Sequence, residues 1–249
     1  MSSSTSPLSS DPGAAPVVVV TGAGSGVGRA TAIALATRGW RVAVLGRTPG
    51  TLAETARHCA AADRVRTHQV DVRQPAASER AVAETLAAWG RIDALVNAAG
   101  TNVPGRSLEV LSLADYHDLV DTNLHGSFYA VRAVLPAMRA AGRGIIVNVV
   151  SISGRRASAL SGAGYAVSKF GQAGLTQAIN AEENRHGLRA TAVFPGDIDT
   201  PLLDRRPDPP PAAARTTMLT ADDVAACIVL AIELPDRAVV DEIVVRPRV

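Results

Sequence analysis

The stretch VVVVTGAGSGVGRA, residues 17–30, governs how the rest of the chain is read. Its valines, with Pro16 before them, form a β-branched apolar run of buried-strand length. Thr21, Gly22, Gly24, Gly26 and Gly28 follow, and GRATAIALATRG then shows helical periodicity closed by Gly39. A strand that turns through small residues into a helix lets the backbone approach a pyrophosphate closely. The helix start adds free N–H groups and a positive dipole end. A tight turn alone would also use glycine. Its place after the first strand of an alternating chain favours the nucleotide reading.

Outward from this unit the pattern repeats. RVAVLG (41–46) reads as a second strand, followed by a helix in TPGTLAETARHCAAA. RVRTHQVDV (64–72) and ASERAVAETLAAWG (77–90) repeat the pair, and IDALVNAAG (92–100) gives a fourth strand. A loop rich in Gly, Pro and Ser leads to one long helical segment over 112–139. Then come a strand GIIVNVV (144–150), a helix over 161–186 and a strand LRATAVFPG (188–196). Residues 197–219 are irregular, and RRPDPPPAAAR within them is too proline-rich for helix or central strand. A helix over 221–233 and the strand DEIVV close the chain. This alternation predicts an α/β fold: a single-domain, Rossmann-like, doubly wound parallel sheet with helices on both faces. Such sheets bind ligands outside the carboxyl ends of their strands. Residues 1–15 are expected to form a disordered tail, 16–249 the domain, and 197–219 a lid over the substrate.

Composition narrows the function classes. At 249 residues, 47% hydrophobic and 19% charged, the chain can bury a sizeable core. A net charge of +2, without a basic run or an aromatic-interleaved basic patch, argues against a nucleic-acid partner. Cys59 and Cys227 lie far apart in expected helices, which fits a reduced cytoplasmic protein without disulfides. The histidines share no metal-ligand spacing with one another or with the cysteines, so no metal site is expected. No apolar run is long enough to span a membrane, and residues 1–16 lack the basic and apolar regions of a secretory signal.

One residue stands out by its scarcity. The chain has 25 Lys plus Arg, of which 24 are arginine; the single lysine is Lys169, in GYAVSKFGQAG (164–174). Tyr165 precedes it by four residues, a spacing that puts both on one helix face. A nearby ammonium favours phenolate, so Lys169 is expected to lower the tyrosine pKa toward the range of a general acid/base. Lysine's compact charge on a flexible stem can reach a phenol and a sugar together; arginine's planar fork is a different tool.

Four motifs in order, T-G-x-x-x-G-x-G at 21–28, NAAG at 97–100, YAVSK at 165–169 and PGDIDT at 195–200, resemble the short-chain dehydrogenase/reductase family. The resemblance runs from about residue 16 to the C-terminus. It implies an NAD(P)-dependent enzyme that interconverts a small-molecule alcohol and a carbonyl by hydride transfer. Tyr165 would exchange a proton with the substrate oxygen, and Lys169 would hold the nicotinamide ribose. A serine at the end of the fifth strand would hydrogen-bond the reacting oxygen. NVVSISG (148–154) resembles the family's N-x-x-S-x-x-G, which selects Ser151 over Ser153 and makes Gly154 its glycine. Asn123, in VDTNLHG, matches the family asparagine of a proton relay to the lysine, with a solvent-facing polar position as the plain alternative. Thr21, Gly22, Ser25, Gly26, Val27 and Gly28 would form the phosphate loop. Asp71 is implied at the adenine with Val72 against the ring, and Asn97 steadies the central strand, with Ala98 and Gly100 near the ribose. Pro195 and Gly196 would pass the nicotinamide while Ile198 and Thr200 hold its carboxamide. A homotetramer is also implied, built on the helices over 112–139 and 161–186.

The second strand ends VLGRT. An acid there would bind both ribose hydroxyls of NAD, but Gly46 occupies the place and Arg47 follows. Glycine leaves room for a 2′-phosphate, guanidinium pairs with it bidentately, and Ser25 can add a contact. NADP(H) is therefore expected over NAD(H). The competing reading is a catalytically silent dinucleotide-binding sensor or scaffold, against which stand Asn123, Ser151, Tyr165 and Lys169, all present. In the lid, Arg205, Arg206 and Arg215 are read as solvated, with contact to an anionic substrate as the alternative.

Overall fold

Every residue of β1 (Val17–Thr21) is buried, but not on one side. Val18 and Val20 pack with Leu35, Trp40 and Ile228, whereas Val17 and Val19 pack with Val82, Val134 and Ile179. Successive side chains of a strand point to opposite faces, so an unbroken apolar run requires a cover on each face. Full burial of each such side chain contributes about 1.5–3 kcal/mol. The structure, a computed structural model, describes residues 15–59 and 62–248, so residues 1–14 of the expected tail lie outside the described residues.

Beyond β1 the chain runs through α1 (Gly26–Thr37), β2 (Arg41–Gly46), α2 (Pro49–His58), β3 (Val65–Gln69), α3 (Pro75–Trp89) and β4 (Ala94–Asn97). It continues with α4 (Leu113–Val120), α5 (Gly126–Ala141), β5 (Gly144–Val149), α6 (Ala163–Glu183) and β6 (Leu188–Pro195). α7 (Ala212–Arg215), α8 (Ala221–Glu233) and β7 (Glu242–Val245) complete it. Among the described residues the strands form one sheet in the order β3-β2-β1-β4-β5-β6-β7, with every pair parallel. α1 and α8 cover one face; α3, α5 and α6 cover the other. The order reverses between β1 and β4, and the crevice at that switch point is where such sheets take ligands. No helix among the described residues is long and apolar enough to cross a membrane.

Local chemistry sets several boundaries. α3 starts with proline at its first position, where the missing N–H is no loss. α8 starts with a capping box in which Thr220 and Asp223 satisfy each other's backbone N–H.

Two expectations are corrected. The long helical segment over 112–139 is interrupted by a wider π turn, Asp121–His125, between α4 and α5. That turn directs Asn123 inward, where it is fully buried, which overturns the solvent-facing alternative. Gly126 then starts α5 hard against the end of the third strand unit, since a Cβ there would lie 2.7 Å from Val72 Cγ2. The proline-rich part of the lid, expected to exclude helix, holds one turn of it. α7 begins directly after Pro211, so no proline sits in the helix interior.

Candidate active site

The carboxyl ends of the strands surround a cleft of about 980 Å³. Its floor is the loop from β1 to α1. Gly22 has φ +66° and a Cβ there would stand 2.6 Å from the Ala99 backbone, so only glycine fits. Arg29 holds the loop from behind, donating from Nη2 to the Gly24 carbonyl at 2.6 Å and pairing with Glu54 on α2. At the start of α1 the first turn carries no acid, and the Ser25 hydroxyl caps nothing. Gly22, Ser25, Gly26 and Val27 all line the cleft, and Arg47 reaches its rim exposed and without an ion pair among the described residues.

At the other end stand Ser151, Tyr165 and Lys169. Ser151 follows β5 and its Oγ accepts from the Ser153 N–H at 3.1 Å. Ser151 and Tyr165 line the same part of the cleft, and Ser151 acts on the Tyr165 phenol to favour its ionised form. Gly154 permits this arrangement: a Cβ would meet Val150 Cγ1 at 2.5 Å and the Lys169 carbonyl oxygen at 2.8 Å, so the loop lies directly on α6. Ser151 and Ser153 both line the cleft, and of the two it is Ser151 that acts on the Tyr165 phenol.

Electrostatics in this corner reverse one expectation. Burial pushes the Tyr165 phenol above its ordinary pKa; the Ser151 hydrogen bond and the charges of Arg106 and Arg206 pull the other way. Burial also pushes the Lys169 ammonium down, to about 7. Its Nζ lies 5.8 Å from the centre of the Tyr165 ring and donates to the Val149 carbonyl and to Gln172 Oε1, both at 2.8 Å. Desolvation outweighs the effects of Ser151, Arg106 and Arg206 on the phenol, and Lys169 is not among the groups that lower it.

Desolvation of Lys169 has a consequence for stability. From about 7 to the ordinary lysine value of 10.5, the unfolded chain holds a proton that the folded chain has lost. Stability then rises with pH across that window and is flat below it. Relative to Lys169→Met, the wild type is expected to gain up to about 1.4 kcal/mol per pH unit there in urea unfolding. Parallel profiles for the two proteins would contradict the desolvated ammonium.

Four of the expected site residues stand behind the cleft wall and do not line it. Thr21 Oγ1 accepts from the Ala99 N–H at 3.2 Å, joining the loops after β1 and β4. Gly28 sits beneath the loop, since a Cβ would fall 2.4 Å from the Gly22 carbonyl oxygen. Asn97 donates to Asn148 Oδ1 at 2.9 Å. Asn123 accepts from the Thr101 N–H at 2.7 Å and donates to the Thr101 carbonyl and to Ser168 Oγ. From Lys169 a buried chain runs through Gln172 and Ser127 to the Asn123 carbonyl, with steps of 2.8, 2.8 and 3.1 Å. Sequence reasoning passed over Gln172, Ser127 and Ser168. Gln172 alone carried a signal, being one helical turn from Lys169.

Asp71, Val72, Ala98, Gly100, Pro195, Gly196, Ile198 and Thr200 do line the cleft. The Asp71 carboxylate is already held by Arg73, which bridges it to Asp118 and lowers its pKa. Thr122, unremarked in the sequence, lines the cleft with a buried Oγ1 that lacks a hydrogen-bond partner. The lid arginines, expected to be solvated, are bonded to the protein, although Arg205 stays exposed while Arg206 and Arg215 are half-buried. Arg205 donates to Thr101 Oγ1 at 2.8 Å, Arg206 pairs with Asp197, and Arg215 pairs with Asp199 and Asp204. A lid with few apolar side chains to bury is held by guanidinium bonds instead. Arg106, also missed, is a buried arginine in the cleft wall. No cluster of His, Cys, Asp or Glu that could hold a metal occurs among the described residues.

The short chain dehydrogenase family model matches residues 16–210. Levodione reductase from Leifsonia aquatica is 36% identical over 195 residues, covering 76% of this chain and 71% of its own. A metagenomic short-chain oxidoreductase solved with NADP superposes with a TM-score of 0.81 at 32% identity, over 95% of this chain and 98% of that one. The closed form of a serine dehydrogenase complexed with NADP+ gives a TM-score of 0.85 at 28% identity, over 93% and 94%.

Proposed function

The chain belongs to the short-chain dehydrogenase family of oxidoreductases, and from that premise we propose that it is an NADP(H)-dependent enzyme interconverting a secondary alcohol and a carbonyl. The observation that carries the reading is that Ser151, Tyr165 and Lys169 open onto the same cleft as the glycine loop, with the Lys169 Nζ 5.8 Å from the Tyr165 ring centre. The donor set suits a dinucleotide. An acid-free helix start and the uncommitted Ser25 hydroxyl favour phosphate, and the unpartnered Thr122 Oγ1 offers a further polar contact. Ser25, Gly26, Val27 and Arg47 would hold the phosphates. Asp71 and Val72 would meet the adenine, and Ile198 and Thr200 the carboxamide. NADPH, when bound, supplies the hydride.

The chain's own residues then handle the oxygen and its proton. Ser151 donates a hydrogen bond to the reacting oxygen and fixes it beside Tyr165. Tyr165 gives its proton to that oxygen during reduction and takes it back during oxidation. Lys169 would hold the nicotinamide ribose through its third N–H, while Val149, Gln172 and the Ser127–Asn123 chain behind it position the ammonium. The test is a panel of alcohols and carbonyls assayed for nicotinamide absorbance change with each cofactor. No turnover of any member would return the chain to the silent-binding reading. Ser151→Ala is expected to lower kcat by about 10²-fold or more, as for loss of an oxyanion-type donor, and Ser153→Ala much less. The reverse ranking would move the reacting oxygen to the other serine.

A homotetramer is part of the same proposal. Phe128 on α5 and Val167 and Phe170 on α6 are exposed apolar side chains on the two helices expected to pair across a two-fold axis. A monomeric mass by light scattering at micromolar concentration would refute it. Both cysteines are free, which supports a cytoplasmic setting.

A further inference from the structure

Arg106 is only 5% exposed, yet it lines the cleft that holds Tyr165. Its guanidinium donates to three backbone carbonyls: Val103 from Nε at 2.8 Å, Leu160 from Nη1 at 3.1 Å and Arg205 from Nη2 at 2.5 Å. A guanidinium has five N–H groups, so one remains on each terminal nitrogen. Among the described residues no carboxylate pairs with it. A buried cation without a counter-ion is costly, and fastening three loops does not explain why it faces a cavity. A second guanidinium, Arg206, lines the same cleft, and its charge acts on both Arg106 and Tyr165. Asp197 neutralises Arg206 alone, so the corner keeps an excess positive charge.

Backbone packing sets Arg106 firmly near the tyrosine. A Cβ on Gly162 would lie 2.6 Å from Arg106 Cβ, and the Ala163 N–H donates to the Arg106 carbonyl at the start of α6. Tyr165 lies in the first turn of that helix. We propose that Arg106, with Arg206 beside it, is the recognition site for an oxyanion on the substrate, so that the carbonyl compounds reduced here carry a carboxylate or sulfonate group. The two free N–H groups match a bidentate oxyanion, and the reacting oxygen goes to Ser151 and Tyr165. The inference rests on the oxidoreductase reading above and gives it a substrate class.

The experiment compares short oxo acids with their methyl esters, and with the matching sulfonates, using NADPH and the full chain. The acid is expected to exceed its ester by about 10²-fold in kcat/KM, the effect of one desolvated charge-assisted pair. Acceptance of the sulfonate as well assigns the site to oxyanions generally; rejection narrows it to carboxylates. R106M is expected to bring the acid-to-ester ratio near unity, whereas R106K keeps a clear preference for the acid. The ratio cancels whatever either change does to the loops that Arg106 fastens. An ester used as well as its acid, or an R106M protein that keeps the wild-type ratio, overturns the oxyanion site and leaves the oxidoreductase reading standing. Absence of NADPH consumption with acids, sulfonates and esters alike overturns that reading and this inference with it.

Discussion

Tyr165→Phe is expected to abolish turnover, by about 10³-fold or more, while NADPH still binds. The change removes one oxygen and leaves the ring that packs in the first turn of α6. Burial keeps that oxygen protonated well past neutral pH, with Ser151 acting in the opposite direction. A phenol held in its acid form is suited to give a proton to a carbonyl oxygen that is gaining a hydride. Ser151 can orient the oxygen but has no proton acid enough to replace that of the phenol, and buried Lys169 is occupied with Val149 and Gln172. Steady-state rates together with a fluorescence titration of NADPH check the claim. A Phe variant that keeps more than a tenth of the wild-type rate would mean that another group moves the proton.

The second large effect concerns the cofactor. The wild type is expected to favour NADPH over NADH by about 10²-fold in kcat/KM, roughly the 3 kcal/mol of a charge-assisted pair. Gly46→Asp combined with Arg47→Ala should reverse the order. Arg47 is exposed at the rim of the cleft and makes no ion pair among the described residues, so its guanidinium is uncommitted. The Gly46 position has a packing cost that the sequence did not disclose. A Cβ there would lie 3.1 Å from Leu52 Cδ2, on a leucine that is almost fully buried. The terminal methyl must give by a few tenths of an ångström, so the double variant should also melt slightly earlier. Arg47→Ala alone, which adds no atom at Gly46, separates the two effects: it should erase the NADPH preference without changing the melting temperature. Equal efficiency with both cofactors in the wild type would contradict the reading of this loop.

Much of the scaffold was legible because it is encoded locally. RVAVLG and the helix over 221–233 stand where the pattern puts them, since an apolar run and a helical pattern are each complete within a few residues. The glycine loop was legible for the same reason. What escaped the sequence depends on partners far along the chain. Arg106 meets Leu160 and Arg205, which are 54 and 99 residues away, so nothing beside it announces that it is buried. Asn123 sits in a helical pattern whose one wider turn is invisible to a fixed period. The direction of the Tyr165 shift failed similarly: spacing showed that an ammonium was near, but the burial that raises the phenol and depresses the ammonium comes from the surrounding fold.

The two-sided burial of β1 leaves one matter that hydrophobicity cannot decide. When a strand is apolar on one face only, sliding it by one residue exposes its core side chains, and the pattern itself forbids the slip. Four valines in a row carry no such instruction, since a shifted copy would bury equally well. The alignment of β1 must come from its polar ends. At one end the Val17 N–H donates to the buried Asp93 carboxylate at 2.9 Å; at the other Thr21 Oγ1 takes the Ala99 N–H at 3.2 Å. The valines supply cohesion, and Asp93 and Thr21 supply the address. Because the glycine loop begins at the next residue, a threonine that never reaches the cleft decides where its floor lies.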